Sequence, residues 1–196
     1  MGKLISLSGI DGAGKSTQIN LISKYLRNKG LSVYVTESMF GYYLFKPFIK
    51  SLRRFTKSST EGPVRRNNNP LYKLWFVLAF VDIWISYSIK VKHLLSKYDV
   101  LIADRYYTDL WANLLYYGYC PKWAFELFLL FLPTADLSIW LSVEPKNVFK
   151  REMEFDGNYY YSQQTIYERF RNLRNYITVD ANSSAEEVFN KIKKII

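Results

Sequence analysis

The chain has 196 residues, 49% of them hydrophobic and 22% charged, with 27 Lys and Arg against 17 Asp and Glu for a formal charge of +10. That length suits one domain burying roughly 70% of its unfolded-state surface, and the positive balance draws anions: nucleotides, nucleic acid or acidic membrane. One cysteine, Cys120, and one histidine, His93, exclude an intramolecular disulfide, a cysteine-based zinc site and a histidine cluster, so the chemistry must use Lys, Arg, Asp and Mg²⁺.

Lys3 to Ser8 reads as a short apolar strand, and Ser16 to Asn28 as a helix with apolar residues at Ile19, Leu21, Ile22, Tyr25 and Leu26. Between them lies Gly9-Ile10-Asp11-Gly12-Ala13-Gly14-Lys15-Ser16-Thr17, a phosphate-binding loop. Its glycines let the backbone curl so that N–H groups point inward as an anion cradle above a helix N-terminus. Lys15 then reaches the β- and γ-phosphates of a nucleotide, and the Ser16 hydroxyl ligates Mg²⁺. Met1 to Ser6 also fits an N-myristoylation template, but the same residues are needed as the buried first strand. With no charged and apolar leader before that strand, a reducing cytoplasm is the expected setting.

Gly30 stops the first helix, and Leu31 to Thr36 supplies the second strand, completing a βαβ unit. From Lys46 to Arg66 seven basic residues are opposed only by Glu61; this stretch is either a solvated basic face or a substrate-facing one. Within it Ser58 to Pro63 reads as a loop. Pro70 opens a long apolar helix toward Ser96. Its run from Leu74 to Ile89 is broken by Asp82 and falls short of the roughly 20 residues a membrane span needs, so no membrane is expected.

Tyr98 to Ala103 is a third strand, ending on Asp104-Arg105-Tyr106. Side chains just beyond the C-terminal ends of parallel strands face the ligand crevice, so Asp104 and Arg105 are placed beside the phosphate loop, where such a pair can hold magnesium and phosphate. Pro121 to Leu132 reads as a helix, Ala135 to Val143 as the fourth strand, and Pro145 to Arg151 as a helix. The tyrosine-rich segment from Glu152 to Gln164 reads as a loop, a lid over the site at about 150–165. A helix near Thr165 to Asn175, a strand at Tyr176 to Val179 and a helix from Ser183 to Ile196, with Ser183 and Glu186 as a capping box, close the chain. Strands alternating with helices, without repeats or linkers, indicate a parallel three-layer α/β fold spanning residues 1–196 as a single domain. Trp75, Phe76, Trp84 and Phe128 could line either a core or a dimer seam. No Asn-Lys-x-Asp guanine signature is found.

The phosphate loop with its Asp11, the Asp104-Arg105-Tyr106 strand end, the Lys150-Arg151 pair at the lid and the terminal helix together resemble the thymidylate kinases over nearly the whole chain. The resemblance implies a P-loop kinase fold with a five-stranded parallel sheet in the order 2-3-1-4-5 and helices on both faces. It also implies a homodimer and transfer of the ATP γ-phosphoryl group to a nucleoside monophosphate, most simply dTMP. A nucleic-acid partner is not expected. On this resemblance Gly9 to Thr17 bind ATP, Lys15 neutralises the transferring group, and Arg105 bridges donor and acceptor phosphates. Asp104 and Ser16 serve Mg²⁺, and Asp11, Phe76, Arg105 and Tyr106 contact the substrate.

Departures from the family pattern are specific. Thr36-Glu37-Ser38-Met39 stands where a Thr-Arg-Glu-Pro would supply an arginine for the acceptor phosphate; Arg53, Arg54, Arg65 or Arg66 could replace it. Ile83 rather than arginine follows Asp82, and Ala112-Asn113-Leu114 replaces Ala-Tyr-Gln. Gly12 occupies the loop position where some members carry a catalytic arginine, and residues 152 to 164 contain none. Arg151 is assigned that role, with Arg169 as the alternative. A kinase for another small acceptor such as a nucleoside, or a nucleotide- or nucleic-acid-binding protein with weak or no turnover, are the competing readings.

Overall fold

In the computed structural model, which describes residues 2–37, 75–116, 118–148, 157–174 and 176–196, five parallel strands form one sheet. They are β1 (Lys3–Ser8), β2 (Val33–Glu37), β3 (Val100–Asp104), β4 (Leu137–Ser142) and β5 (Ile177–Asp180), ordered β2-β3-β1-β4-β5. In the central strand Leu4 through Ser8 are all buried, as a parallel strand covered on both faces requires. The register pairs Leu7 with Asp104 and Ser8 with Trp140, and Glu37 with Asp104 on the other side. The C-terminal ends of β1, β2, β3 and β4 therefore open on one edge. Just before β1 the Gly2 N–H donates to the Leu95 carbonyl at 2.8 Å.

Helices cover both faces. Helix α1 (Lys15–Asn28) packs with the C-terminal helix α8 (Ala185–Lys193), where the Gln18 amide donates to the Ala185 carbonyl at 2.9 Å. Helix α4 (Tyr107–Tyr116) packs with α5 (Lys122–Leu130) and with the long α7 (Gly157–Arg174). The expected helix toward Ser96 is present from Trp75 but not uniform. It comprises α2 (Trp75–Ser86), a π-helical turn (Tyr87–Val91) and α3 (Lys92–Lys97). Short α6 (Pro145–Val148) follows β4. An aromatic core joins these layers: Trp111, fully buried, stacks on Phe128, and its indole N–H donates to the Phe125 carbonyl at 3.0 Å.

Two expectations are corrected. The tyrosine-rich segment is helical from Gly157 onward, not a loop to Gln164. Tyr159, Tyr160, Gln163, Ile166, Tyr167 and Phe170 recur at helical spacing and are all buried; reading tyrosines as polar loop residues hid the stripe. The last helix is capped by Ser184, whose hydroxyl accepts from the Glu187 N–H at 3.3 Å. Ser183, which also precedes a glutamate by three residues, instead meets the Lys191 ammonium at 3.4 Å. The basic stretch from Lys46 to Arg66, the Pro70 helix start, Lys150, Arg151 and residues 152 to 156 lie outside the described residues.

Candidate active site

The phosphate loop grows directly from β1. Gly14 caps α1 in the left-handed conformation (φ +85°), with open space among the described residues where a side chain would stand. Gly12 is also left-handed (φ +78°), and a Cβ there would lie 2.6 Å from a methyl of Val148 on α6. A larger residue there is strained by its φ and must displace the Val148 side chain. The Lys15 side chain folds back under the loop, its ammonium donating to the Gly9 and Ile10 carbonyls at 2.9 Å each and standing 3.8 Å from Asp11. It is only 7% exposed. Burial lowers its pKa, the nearby Arg105 charge lowers it further, and Asp11, Asp109 and Asp104 oppose them. Ser16 and Thr17, on the first turn of α1, are exposed.

From β3 come the next two groups. Asp104 keeps one carboxylate oxygen buried and without a hydrogen-bond partner among the described residues. Arg105 has φ +63°, the one left-handed non-glycine residue among those described, and its guanidinium donates to the Asp11 carboxylate. Desolvation works to lower the Arg105 pKa, but Asp11 and Asp109 outweigh it and the net shift is upward. Two cations and two carboxylates therefore converge at the ends of β1 and β3, as the sequence pattern implied for Asp11, Lys15, Asp104 and Arg105.

Other expected site residues make contacts outside this cluster. Phe76 is 7% exposed, its ring set edge-on to Trp111 and Phe128. Tyr106 is 1% exposed, packed on Tyr107 with ring centroids 4.8 Å apart. Its hydroxyl has no partner among the described residues, and the side chain lines a cavity of about 240 Å³ with Arg174, Tyr176 and the start of β4, at the far end of the sheet. Its backbone N–H donates to the Asp109 carboxylate at 2.7 Å. Arg169 pairs with Glu126 on α5 at 3.6 Å and is not directed to the loop.

Sequence reasoning missed Asp109. This buried carboxylate accepts from the Ser8 hydroxyl at 2.7 Å, from the Tyr106 N–H at 2.7 Å and from the Tyr167 hydroxyl at 2.5 Å. The signal was available as an acidic residue three positions after Tyr106, the N3 position of a helix that starts at a strand end.

A family model for thymidylate kinase matches residues 7–192 of the chain. The chain belongs to the thymidylate kinase family. Membership makes it a nucleoside monophosphate kinase, a transferase. Among relatives, a probable thymidylate kinase 1 of Saccharolobus solfataricus is 27% identical over 203 residues, covering 100% of this chain and 97% of that protein. A thymidylate kinase of Dehalococcoides mccartyi is 28% identical over 210 residues, covering 99% and 95%. A thymidylate kinase of Neorickettsia sennetsu is 33% identical over 118 residues, covering 60% of this chain and 51% of that protein. The thymidylate kinase family chain described here has no helix, among its described residues, long and apolar enough to cross a membrane.

Proposed function

We propose that the chain transfers the γ-phosphoryl group of ATP to dTMP, giving ADP and dTDP, with Mg²⁺. The observation that carries this reading is the convergence of Lys15, Arg105, Asp11 and the Asp104 oxygen that lacks a partner among the described residues, beside the Gly14-capped start of α1. Phosphoryl transfer needs in-line positioning and charge neutralisation rather than a strong nucleophile. An acceptor phosphate oxygen forms the new P–O bond as the bond to the ADP oxygen breaks, and the site need only hold and neutralise.

Each group has a role suited to its placement. The loop N–H groups from Gly9 to Ser16 cradle the donor phosphates, with Ile10 and Ala13 buried beneath them. Lys15, already desolvated, gains an anionic partner when phosphate enters. Arg105 stands between the loop and the β3 end, where it can bridge donor and acceptor phosphates, and Asp11 holds it there. The exposed Ser16 hydroxyl and the Asp104 oxygen without a partner among the described residues fit a hydrated magnesium ion, which when bound would neutralise charge on the phosphate oxygens. Arg151 remains our assignment for the arginine missing from Gly12; equal turnover of Arg151→Ala and the parent would remove it.

The same proposal takes residues 1–196 as one kinase domain with 150–165 as its lid, acting in the cytoplasm. It includes a homodimer, supported by the exposed apolar face of Val81, Trp84 and Ile89 on α2 and the π turn; light scattering after gel filtration reads the mass. The activity test is a panel of nucleoside monophosphates and nucleosides with Mg·ATP, followed by ADP formation. A dTMP signal is expected. A signal confined to nucleosides would shift the acceptor class, and silence with every acceptor would defeat the enzyme reading.

A further inference from the structure

The phosphoryl-transfer reading leaves Asp109 without a task, although it is 2% exposed and its carboxylate is near enough to raise the pKa of both cations of the site. Its contacts define one. Asp109 donates its own N–H to the Tyr106 carbonyl at 2.9 Å while one of its carboxylate oxygens accepts from the Tyr106 N–H. This reciprocal pair clamps the residue immediately after Arg105, whose left-handed backbone is disfavoured for a side chain of that size unless its surroundings hold it. The same oxygen accepts from Ser8, the last residue of β1 before the phosphate loop. The other oxygen accepts from Tyr167 on α7.

Tyr167 is the innermost of three rungs between α7 and α4. Gln163 donates to the Asn113 side chain at 3.0 Å, and the Tyr159 ring meets that of Tyr116 edge-on at 5.1 Å between centroids. Positions 159, 163 and 167 share one helix face at four-residue spacing. Helix α7 is thus laid along α4 and fastened at its inner rung to the carboxylate that holds the Arg105 turn.

We propose that Asp109 is a positioning residue for phosphoryl transfer: it holds the Arg105 turn and ties α7 to it, so that the guanidinium is correctly placed when α7 is seated. The inference rests on the phosphotransferase reading above. It concerns geometry rather than charge, and the two are separable. In Asp109→Asn the amide oxygen can accept from Ser8 and Tyr106 while the amide N–H₂ donates to the Tyr167 oxygen, so the hydrogen bonds survive and the charge does not.

The test uses the full chain and compares Asp109→Ala, Asp109→Asn and Tyr167→Phe for kcat, for KM of ATP and dTMP, and for amide exchange at Arg105 to Thr108. Asp109→Ala should lower kcat by about 10- to 100-fold with KM for ATP within about threefold. Asp109→Asn should recover to within about fivefold of the parent, and Tyr167→Phe should lose about three- to tenfold. Both Asp109→Ala and Tyr167→Phe should speed exchange at Arg105 and Tyr106, and Tyr167→Phe should add nothing in the Asp109→Ala background. If Asp109→Ala does not fold, Tyr167→Phe and Asp109→Asn carry the comparison. Parental kcat in Tyr167→Phe, unchanged exchange, or an Asn variant as damaged as Ala would overturn the proposal. A parent that transfers no phosphate defeats the functional reading instead, and the exchange data still decide whether Asp109 holds the turn.

Discussion

The Arg105 guanidinium donates to the Asp11 carboxylate, joining the end of β3 to the middle of the phosphate loop. Both side chains are only partly exposed, at 28% and 20%, so the pair is shielded enough to set where the cation stands. A bare phosphate cradle does not require Asp11, and we propose that its task is to hold the Arg105 guanidinium at the loop.

Asp11→Ala should therefore release Arg105 without unfolding the loop. Steady-state kinetics should show kcat/KM for dTMP falling by about 10- to 100-fold, with the thermal midpoint changed little. Asp11→Asn should retain part of the activity, since its amide oxygen still accepts from the guanidinium.

Gly12 should tolerate no side chain. Its left-handed φ and the 2.6 Å approach of a Cβ to Val148 predict that Gly12→Ala costs about 1–3 kcal/mol of stability, read as a drop in the urea midpoint. For the same reason Gly12→Arg should fail to raise turnover, although it restores an arginine at the loop position where some family members carry one.

Phe76 and Trp111 separate packing from recognition. Trp111→Ala should cost about 3–5 kcal/mol, because it empties a fully buried site and loses the indole hydrogen bond to the Phe125 carbonyl. Phe76→Leu should lower the thermal midpoint while leaving KM for dTMP unchanged. A large rise in that KM at preserved stability would return Phe76 to the substrate.

The strand, loop and helix that carry the phosphate site were legible because their signals are local: a β-prone run, glycines at fixed offsets and a helical stripe. The Asp104-Arg105 pair was legible for a topological reason, since parallel strands present their C-terminal ends to the ligand. The orientations of Tyr106 and Phe76 were not legible because a residue type and its position do not say which way a side chain turns. Tyr106 follows Arg105 by one residue, yet its ring runs down to Arg174 and Tyr176 at the far end of the sheet. Asp109 was invisible for the opposite reason: its partners Ser8 and Tyr167 are distant in sequence and meet only in the fold. The first turns of α7 were hidden because tyrosine serves both loops and cores.

Burial pushes the Asp109 carboxyl above its ordinary value of 3.8, and the donors Tyr167, Ser8 and Tyr106 and the Arg105 charge draw it back only in part. A raised value means that the folded chain holds the proton more tightly than the unfolded one. The stabilising contribution is therefore fully present below 3.8 and is lost as pH rises through the raised value. Asp109→Asn does not titrate. Comparing urea midpoints from about pH 4 to about pH 7, the parent should lose stability relative to this variant as pH rises. A gap that moves in the parent's favour contradicts the assignment.

The most direct test of the account is the appearance of dTDP from dTMP and Mg·ATP, resolved by chromatography, for the parent and for Lys15→Ala. The parent should form dTDP and ADP in equal amounts, and Lys15→Ala, folded by circular dichroism, should form essentially none. Absence of dTDP from the parent, or undiminished dTDP from Lys15→Ala, would contradict the proposed reaction and the role of the loop in it.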